Sequence, residues 1–344
     1  MKYNPVPHTN LKISELSLGT MTWGEQTSQE EAFLQMEYAL DCGINLIDTA
    51  EMYSFPGKPE TQGSTETIIG NWFAKNGNRN KVLLATKIAG PNRKLEHIRN
   101  PLDFSKKSFE DAINRSLKRL QTDYIDLYQL HWPERKTNFF GQLNYTVRED
   151  DWEDNFAQVL SHLEDFVKEG KIRHIGVSNE NPWGLMRFIE ESRNGKKRIA
   201  TVQNAFNLLN RTDQIGLTEI LHHEKTGYLA YSPLGFGQLT GKYLQNQKPE
   251  NCRHTLFPFQ NRYFKPKGYE AAQKYADLAQ KHNLTFTQLA LAFVRQQSFV
   301  TSTILGAKTV AQLKENILTK KIVLSKEILK EIDNIHIEIP NPAP

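Results

Sequence analysis

A (β/α)8 barrel, with an N-terminal β-hairpin and a long loop after the fourth strand, is the fold class this sequence predicts, as one domain over residues 1–344. Three observations predict it. Short β-branched or apolar runs alternate with amphipathic segments almost from end to end. The runs carry apolar residues on both faces, the pattern of strands covered on both sides in a parallel sheet. There are eight of them, the number that closes such a sheet into a barrel. No linker, repeat or low-complexity stretch interrupts the alternation. A doubly wound open sheet competes less well, because the Gly-rich first turn of that fold is missing.

The elements follow in order. MKYNPVPHTNLKIS opens the chain and reads as a hairpin placed to plug the barrel floor. The strand runs are ELSLGTM (15–21), INLIDTA (44–50), KVLLATKI (81–88), YIDLYQLH (124–131), RHIGVSN (173–179), ATVQNAF (200–206), GYLAYSPL (227–234) and TSTILGA (301–307). Helix starts are marked by Ser28 with Glu31, by Asn181 followed by Pro182 at the first helical position, and by Thr285 with Gln288. In SKKSFEDAINRSLKRL, the residues Phe109, Ala112, Ile113, Leu117 and Leu120 form one apolar stripe at helical spacing. The stretch 134–151, ERKTNFFGQLNYTVREDD, far exceeds the usual strand-to-helix turn of about 2 to 6 residues. It springs from the barrel mouth, so it is expected to fold over the opening.

Composition excludes several function classes. The formal charge of +4 is spread among interspersed acidic residues, and the longest basic cluster, Lys196 to Arg198, reads as a solvated turn, so no nucleic-acid partner is expected. No stretch approaches the roughly 20 apolar residues of a membrane span, and the N-terminus lacks a signal-peptide core; a cytoplasmic protein without a membrane partner is expected. Cys42 and Cys252 have neither disulfide nor zinc spacing, and no metal-ligand cluster stands out. The Asn-x-Ser/Thr sequons at Asn114, Asn144, Asn210 and Asn283 are chance matches in a chain of that kind.

Chemistry in a barrel of this type is sought at the C-terminal ends of the strands. Asp48 closes the second strand, Tyr53 follows it, Lys87 closes the third and His131 the fourth. Taken singly, each has an ordinary structural use as a cap, a packing ring, an ion pair or a backbone partner. Together they face one mouth from three neighbouring strands and form a proton-transfer set. An ammonium from Lys87 would make the Tyr53 phenol more acidic, Asp48 would balance the lysine, and His131 would hold a carbonyl oxygen beside the hydroxyl. Such a set protonates an oxygen while a hydride reaches the carbon. A Schiff-base lyase built on Lys87 would leave Asp48 and Tyr53 without a use.

The motifs LGTMTWG (18–24), GINLIDTAEMY (43–53), ATK (85–87), LYQLHWP (127–133), KIRHIGVSN (171–179), QNAFNLL (203–209), AYSPLGFGQLTGKY (230–243) and ILGAKTVAQLKEN (304–316) resemble those of the aldo-keto reductases over essentially the whole chain. The similarity is to the bacterial Tas-like branch, related to the β subunits of voltage-gated potassium channels. It implies reduction of small-molecule aldehydes or ketones with Asp48, Tyr53, Lys87 and His131 as catalytic tetrad, and NADP lying extended across the mouth. The resemblance puts Thr20, Met21 and Asp48 beside that cofactor. Ser178, Asn179 and Gln203 carry groups suited to the nicotinamide carboxamide, and Tyr231 offers a ring for stacking. Ser232, Pro233, Leu234, Gly237, Leu239 and Lys242 would follow the pyrophosphate. Gly306 leads into a helix N-terminus suited to phosphate, and Glu315 and Asn316 match adenine-holding positions. Gln312 stands where many relatives carry an arginine for the 2′-phosphate; Lys308 and Arg262 are possible substitutes, and Gln312 could instead cap its helix with Thr309. A substrate pocket is expected from Trp23, Trp132, Phe139 and Phe140. A regulatory subunit that keeps barrel and cofactor but turns over slowly is the alternative function, and the oligomeric state stays open.

Overall fold

The computed structural model describes residues 1–91, 94–147 and 152–344. Two short strands, β1 (Tyr3–Pro5) and β2 (Lys12–Ser14), pair antiparallel as the expected hairpin. Eight parallel strands then close a barrel in chain order: β3 (Leu16–Gly19), β4 (Leu46–Asp48), β5 (Leu83–Ile88), β6 (Ile125–Leu130), β7 (Ile172–Ser178), β8 (Ile199–Ala205), β9 (Gly227–Tyr231) and β10 (Ser302–Leu305), with β10 pairing back onto β3. Six fall inside runs read from sequence, and β7 and β8 each begin one residue before theirs.

Two apolar layers hold the fold. The outer one packs the helices against the barrel wall, with Phe109, Ile113 and Leu120 of the helix Lys106–Leu120 buried on β-strand side chains. Leu117 of the same stripe is only partly buried. The inner one fills the barrel floor, where Val6, Leu11 and Ile13 of the hairpin segment join Leu46, Ala85, Leu127, Ala200, Leu229 and Ile304. The hairpin is therefore the plug its position suggested: it covers inward-facing apolar groups that would otherwise meet water at the open bottom.

Helix starts follow side-chain chemistry. Thr285 and Gln288 form a complete reciprocal capping box on the helix Phe286–Arg295, and the Ser28 hydroxyl accepts from the Glu31 amide on the helix Gln29–Asp41. Asn181 precedes the helix Pro182–Arg193 as expected but does not cap it with its side chain. Its Nδ2 instead donates to Thr137 Oγ1 and the Asn138 carbonyl, tying the long loop after β6 to the end of β7. Of that loop, residues 148–151 lie outside the described residues.

Candidate active site

Barrel register brings the ionisable groups together. Lys87 on β5 stands opposite Gln129 on β6, which stands opposite Gly176 on β7. A Cβ on Gly176 would lie 2.7 Å from Thr201 Oγ1 and 3.1 Å from Gln129 Cγ, so glycine leaves the interior space that Gln129 occupies. Lys87 is fully sealed, and its Nζ donates to Asp48 Oδ2 at 2.7 Å and to the Thr49 carbonyl at 2.7 Å. The other oxygen of Asp48 accepts from Gln203 Nε2 at 2.8 Å and Gln129 Nε2 at 3.3 Å. A buried carboxylate with this many donors is held in one orientation.

Tyr53 caps this pair. Its ring centroid lies 5.2 Å from Lys87 Nζ, and its hydroxyl is 3.4 Å from His131 Nε2. The expected tetrad is therefore one contiguous cluster. One expectation fails: the phenol is not made more acidic than usual. Burial pushes its pKa well above the ordinary value, the negative charge of Asp48 adds to the rise, and the Arg253 guanidinium opposes it. Burial also lowers the pKa of Lys87, an effect that Asp48 partly offsets. In a desolvated site the cost of a phenolate exceeds the help from a lysine whose charge is already paired with Asp48. Tyr53 is accordingly held protonated at neutral pH, the state a proton donor needs.

Arg253 carried no sequence signal. It begins a short helix, Arg253–Leu256, in the connection after β9, and its guanidinium lies 3.6 Å from the Phe236 ring centroid and 5.6 Å from that of Phe55. Its Nε donates to Gln260 Oε1 at 2.6 Å. Burial lowers its pKa to about 10. Gln129 was missed as well, although its place level with Lys87 on the neighbouring strand is a recognisable signal.

The residues expected to meet a cofactor fall into three groups. Around the tetrad, Thr20 Oγ1 donates to the Asp48 carbonyl, Ser178 Oγ donates to the Gln203 carbonyl, and Met21 packs beside Tyr53 and Trp132. Asn179 donates to the His131 carbonyl at 2.8 Å and accepts from the Tyr231 hydroxyl at 2.6 Å. Gln203 has its amide nitrogen committed to Asp48, which leaves its oxygen for any further partner. Beyond β9, the carbonyls of Ser232 and Leu234 accept from the amides of Gly235, Gly237 and Leu239, so this stretch, with Pro233 between them, folds into tight turns. Gly237 has φ of +94°, and Lys242 Nζ would lie 2.9 Å from a Cβ there. Lys308 Nζ donates to the Asn251 carbonyl; burial lowers the pKa of Lys242 and the Lys308 charge adds to that, so the two ammoniums are neighbours. Gly306 has open space where a Cβ would be. Thr309 Oγ1 accepts from the Gln312 amide while Gln312 Oε1 accepts from the Lys308 amide, so Gln312 serves the start of the helix Val310–Leu318. Glu315 and Asn316 lie on that helix, exposed and buried respectively.

Arg262 does not join the two lysines. Its Nε donates to the Pro344 carbonyl at 2.7 Å and its Nη1 donates to the Tyr231 hydroxyl at 3.3 Å, which commits it to Tyr231 and the C-terminus. There it borders a cavity of about 840 Å3, also lined by Asn179, Tyr231, Asp213, Trp183, Phe139 and Phe140.

The expected substrate-pocket residues separate too. Trp132 lies beside His131, ring centroids 5.0 Å apart, with its Nε1 donating to the Pro91 carbonyl. Phe139 and Phe140 pack on the same cluster as Tyr53 and Trp132, and Phe140 meets Trp132 edge-on. Trp23 is different: it is fully buried in the layer between barrel and helices and does not border the cavity. Among the described residues no three-residue His, Cys, Asp and Glu group suited to a metal occurs, and no helix is long and apolar enough to cross a membrane. Both cysteines are free thiols.

Comparison with known proteins agrees with this geometry. The model of the aldo/keto reductase family matches residues 15–337. The chain is 48% identical to Protein tas of Escherichia coli over the full length of both. It is 34% identical to an uncharacterized oxidoreductase, YrpG, of Bacillus subtilis, covering all of this chain and 97% of that one. It is 25% identical to norsolorinic acid reductase B of Dothistroma septosporum, over 95% of this chain and 79% of that protein. With a closed parallel barrel and this constellation at its mouth, the chain belongs to the aldo/keto reductase family.

Proposed function

We propose that the protein is an NADPH-dependent carbonyl reductase in which Tyr53 delivers the proton. One observation carries the reading: a tyrosine hydroxyl 3.4 Å from His131 Nε2, set over a sealed lysine–aspartate pair at the barrel mouth. His131 positions a carbonyl oxygen against the Tyr53 hydroxyl. Lys87 and Asp48 keep a fixed charge pair beneath the ring, and the Arg253 guanidinium offsets the negative charge arriving on Tyr53 as its proton leaves. Phe139, Phe140 and Trp132 exclude water from the reacting atoms. The oxidoreductase and reductase names carried by two of the relatives support the redox reading.

The residues present fit a dinucleotide. Lys242 and Lys308 are neighbouring cations that make no ion pair with a carboxylate among the described residues, and a phosphate there would relieve their repulsion. The open space at Gly306 and the ring of Tyr231 are compatible with the rest of such a ligand. When bound, NADPH supplies the hydride. Lys242 and Lys308 would favour NADPH over NADH by about ten- to a hundredfold, the worth of one charge-assisted contact. We place the protein in the cytoplasm, with a small carbonyl compound as its partner.

The test is steady-state consumption of NADPH with an activated aromatic aldehyde. Tyr53→Phe is expected to lower turnover by about 10²- to 10⁴-fold while NADPH affinity, read by fluorescence titration, changes little. Near-normal turnover in that variant would remove Tyr53 from the role. A single oxidation per wild-type site followed by silence would favour a slow-turnover regulatory subunit instead.

A further inference from the structure

The cavity of about 840 Å3 is larger than a simple aldehyde needs, and its two walls differ in chemistry. It adjoins the reaction centre: Phe139 and Phe140, both on its lining, pack against the cluster that holds Tyr53 and Trp132, and Asn179, also on its lining, donates to the His131 backbone carbonyl. A carbonyl compound reacting at Tyr53 would therefore extend its remaining part into this space.

One wall is aromatic. Trp183, the second residue of the helix after β7, is 53% exposed, large for a tryptophan, and borders the cavity. It is not loose: the Arg135 guanidinium lies 5.0 Å from its ring centroid, and Trp152 meets it edge-on. Arg135 is itself fixed by a two-armed ion pair with Glu180. The indole is thus braced by protein while more than half of its surface stays open for a ligand.

The other wall holds Asp213 and Arg262. Asp213 Oδ2 accepts from the Tyr228 hydroxyl at 2.6 Å and from Asn204 Nδ2 at 3.0 Å, which clamps the carboxylate. Among the described residues its Oδ1 has no hydrogen-bond partner, and it is not sealed from the cavity. Arg262 uses Nε and Nη1 on Pro344 and Tyr231, and its Nη2 likewise has no partner among the described residues and is not sealed. The two charges influence each other, yet no ion pair joins them. A cation would suit one group and be repelled by the other; an anion would do the reverse. A hydroxyl is both donor and acceptor, so it satisfies both at once.

We propose that Asp213 and Arg262 form a specificity site for carbonyl substrates bearing a hydroxyl group away from the reacting carbon, whose body lies against Trp183. The hydroxyl donates to Asp213 Oδ1 and accepts from Arg262 Nη2. This rests on the carbonyl reductase reading and names the substrate class for it. An analogue lacking the hydroxyl leaves two charged groups unpaired on binding, which is how a polar site rejects an apolar isostere.

The experiment compares kcat/KM for 4-(hydroxymethyl)benzaldehyde and 4-(2-hydroxyethyl)benzaldehyde with their isosteres 4-ethylbenzaldehyde and 4-propylbenzaldehyde, using NADPH. Wild type is expected to prefer at least one hydroxylated member over its isostere by about ten- to a hundredfold. Asp213→Asn should reduce that ratio to within about threefold, and Asp213→Ser, a smaller replacement, should do the same; a variant that is merely damaged loses both members of a pair together and keeps the ratio. Turnover of all four aldehydes without preference, or a preference that survives both substitutions, overturns the specificity site and leaves the reductase reading standing. No NADPH consumption with any of the four overturns the reductase reading and this site with it.

Discussion

Replacing Lys87 by methionine perturbs the best-determined interaction in the molecule. The ammonium is fully sealed and gives one hydrogen bond to Asp48 Oδ2 and one to the Thr49 carbonyl, both of 2.7 Å. Methionine occupies nearly the same volume, so little of the cost is a cavity. What remains is the Asp48 carboxylate, 4% exposed and left with only the Gln203 and Gln129 amides. Removing one partner of a buried ion pair costs about 3–5 kcal/mol, a large part of the roughly 5–15 kcal/mol that holds a domain folded. Adding Asp48→Asn to Lys87→Met takes the orphaned charge away and should restore most of that loss, so the two substitutions are strongly non-additive. Equilibrium urea unfolding of wild type, both single variants and the double variant, followed by circular dichroism, measures the cycle. A Lys87→Met cost below about 1 kcal/mol, or a double variant as unstable as the sum of the singles, would refute the view of these groups as a mutually dependent buried pair.

Three further outcomes follow from specific contacts. Gly70→Ala should destabilise by about 2 kcal/mol or more in spite of alanine's helix preference, because its Cβ would come 2.1 Å from the Arg119 carbonyl where two helices touch; a stability gain in urea unfolding would contradict this close approach. Thr285→Ala should cost about 1 kcal/mol by removing the capping box, with a shift in thermal midpoint as the readout and no shift as the contrary result. Asp213 is an acid whose folded pKa is raised by burial from 3.8 to about 6, so the folded state holds its proton more tightly and pays for the ionised form above about pH 6, a penalty that fades as pH falls toward 3.8. Asp213→Asn should therefore be more stable than wild type at pH 8, by at most about 3 kcal/mol, with the advantage gone near pH 4; the opposite pH trend in urea unfolding would overturn it.

How much of the site could be seen beforehand depended on whether a residue's surroundings are local. Asp48, Lys87 and His131 are strand-end residues, and a barrel of known handedness sends every strand end to one mouth, so their convergence follows from the one-dimensional pattern. Gln129 lay within reach of the same logic, as a polar side chain on the layer of Lys87. Arg253 did not: it sits in the irregular connection after β9, where neither period nor turn chemistry specifies direction. For the same reason Arg262 was grouped with Lys242 and Lys308 but is committed to Tyr231 and the C-terminus. Trp23 was grouped with the pocket aromatics, and in the fold it is fully buried in the outer apolar layer.

The sequence by itself determined the barrel, its eight strands, the hairpin plug and the set of groups at the mouth, because alternation of buried strands and amphipathic helices and the placement of strand ends are set by near-neighbour periodicity. Tertiary structure alone decided the charge states and the cavity. Whether Lys87 lowers the Tyr53 pKa or burial raises it depends on competing charges and on the loss of solvent, which are sums over residues distant in the chain. The walls around Trp183, Asp213 and Arg262 were decided in the same way, since loops from three different strand ends meet there and no repeating pattern dictates where a loop comes to rest.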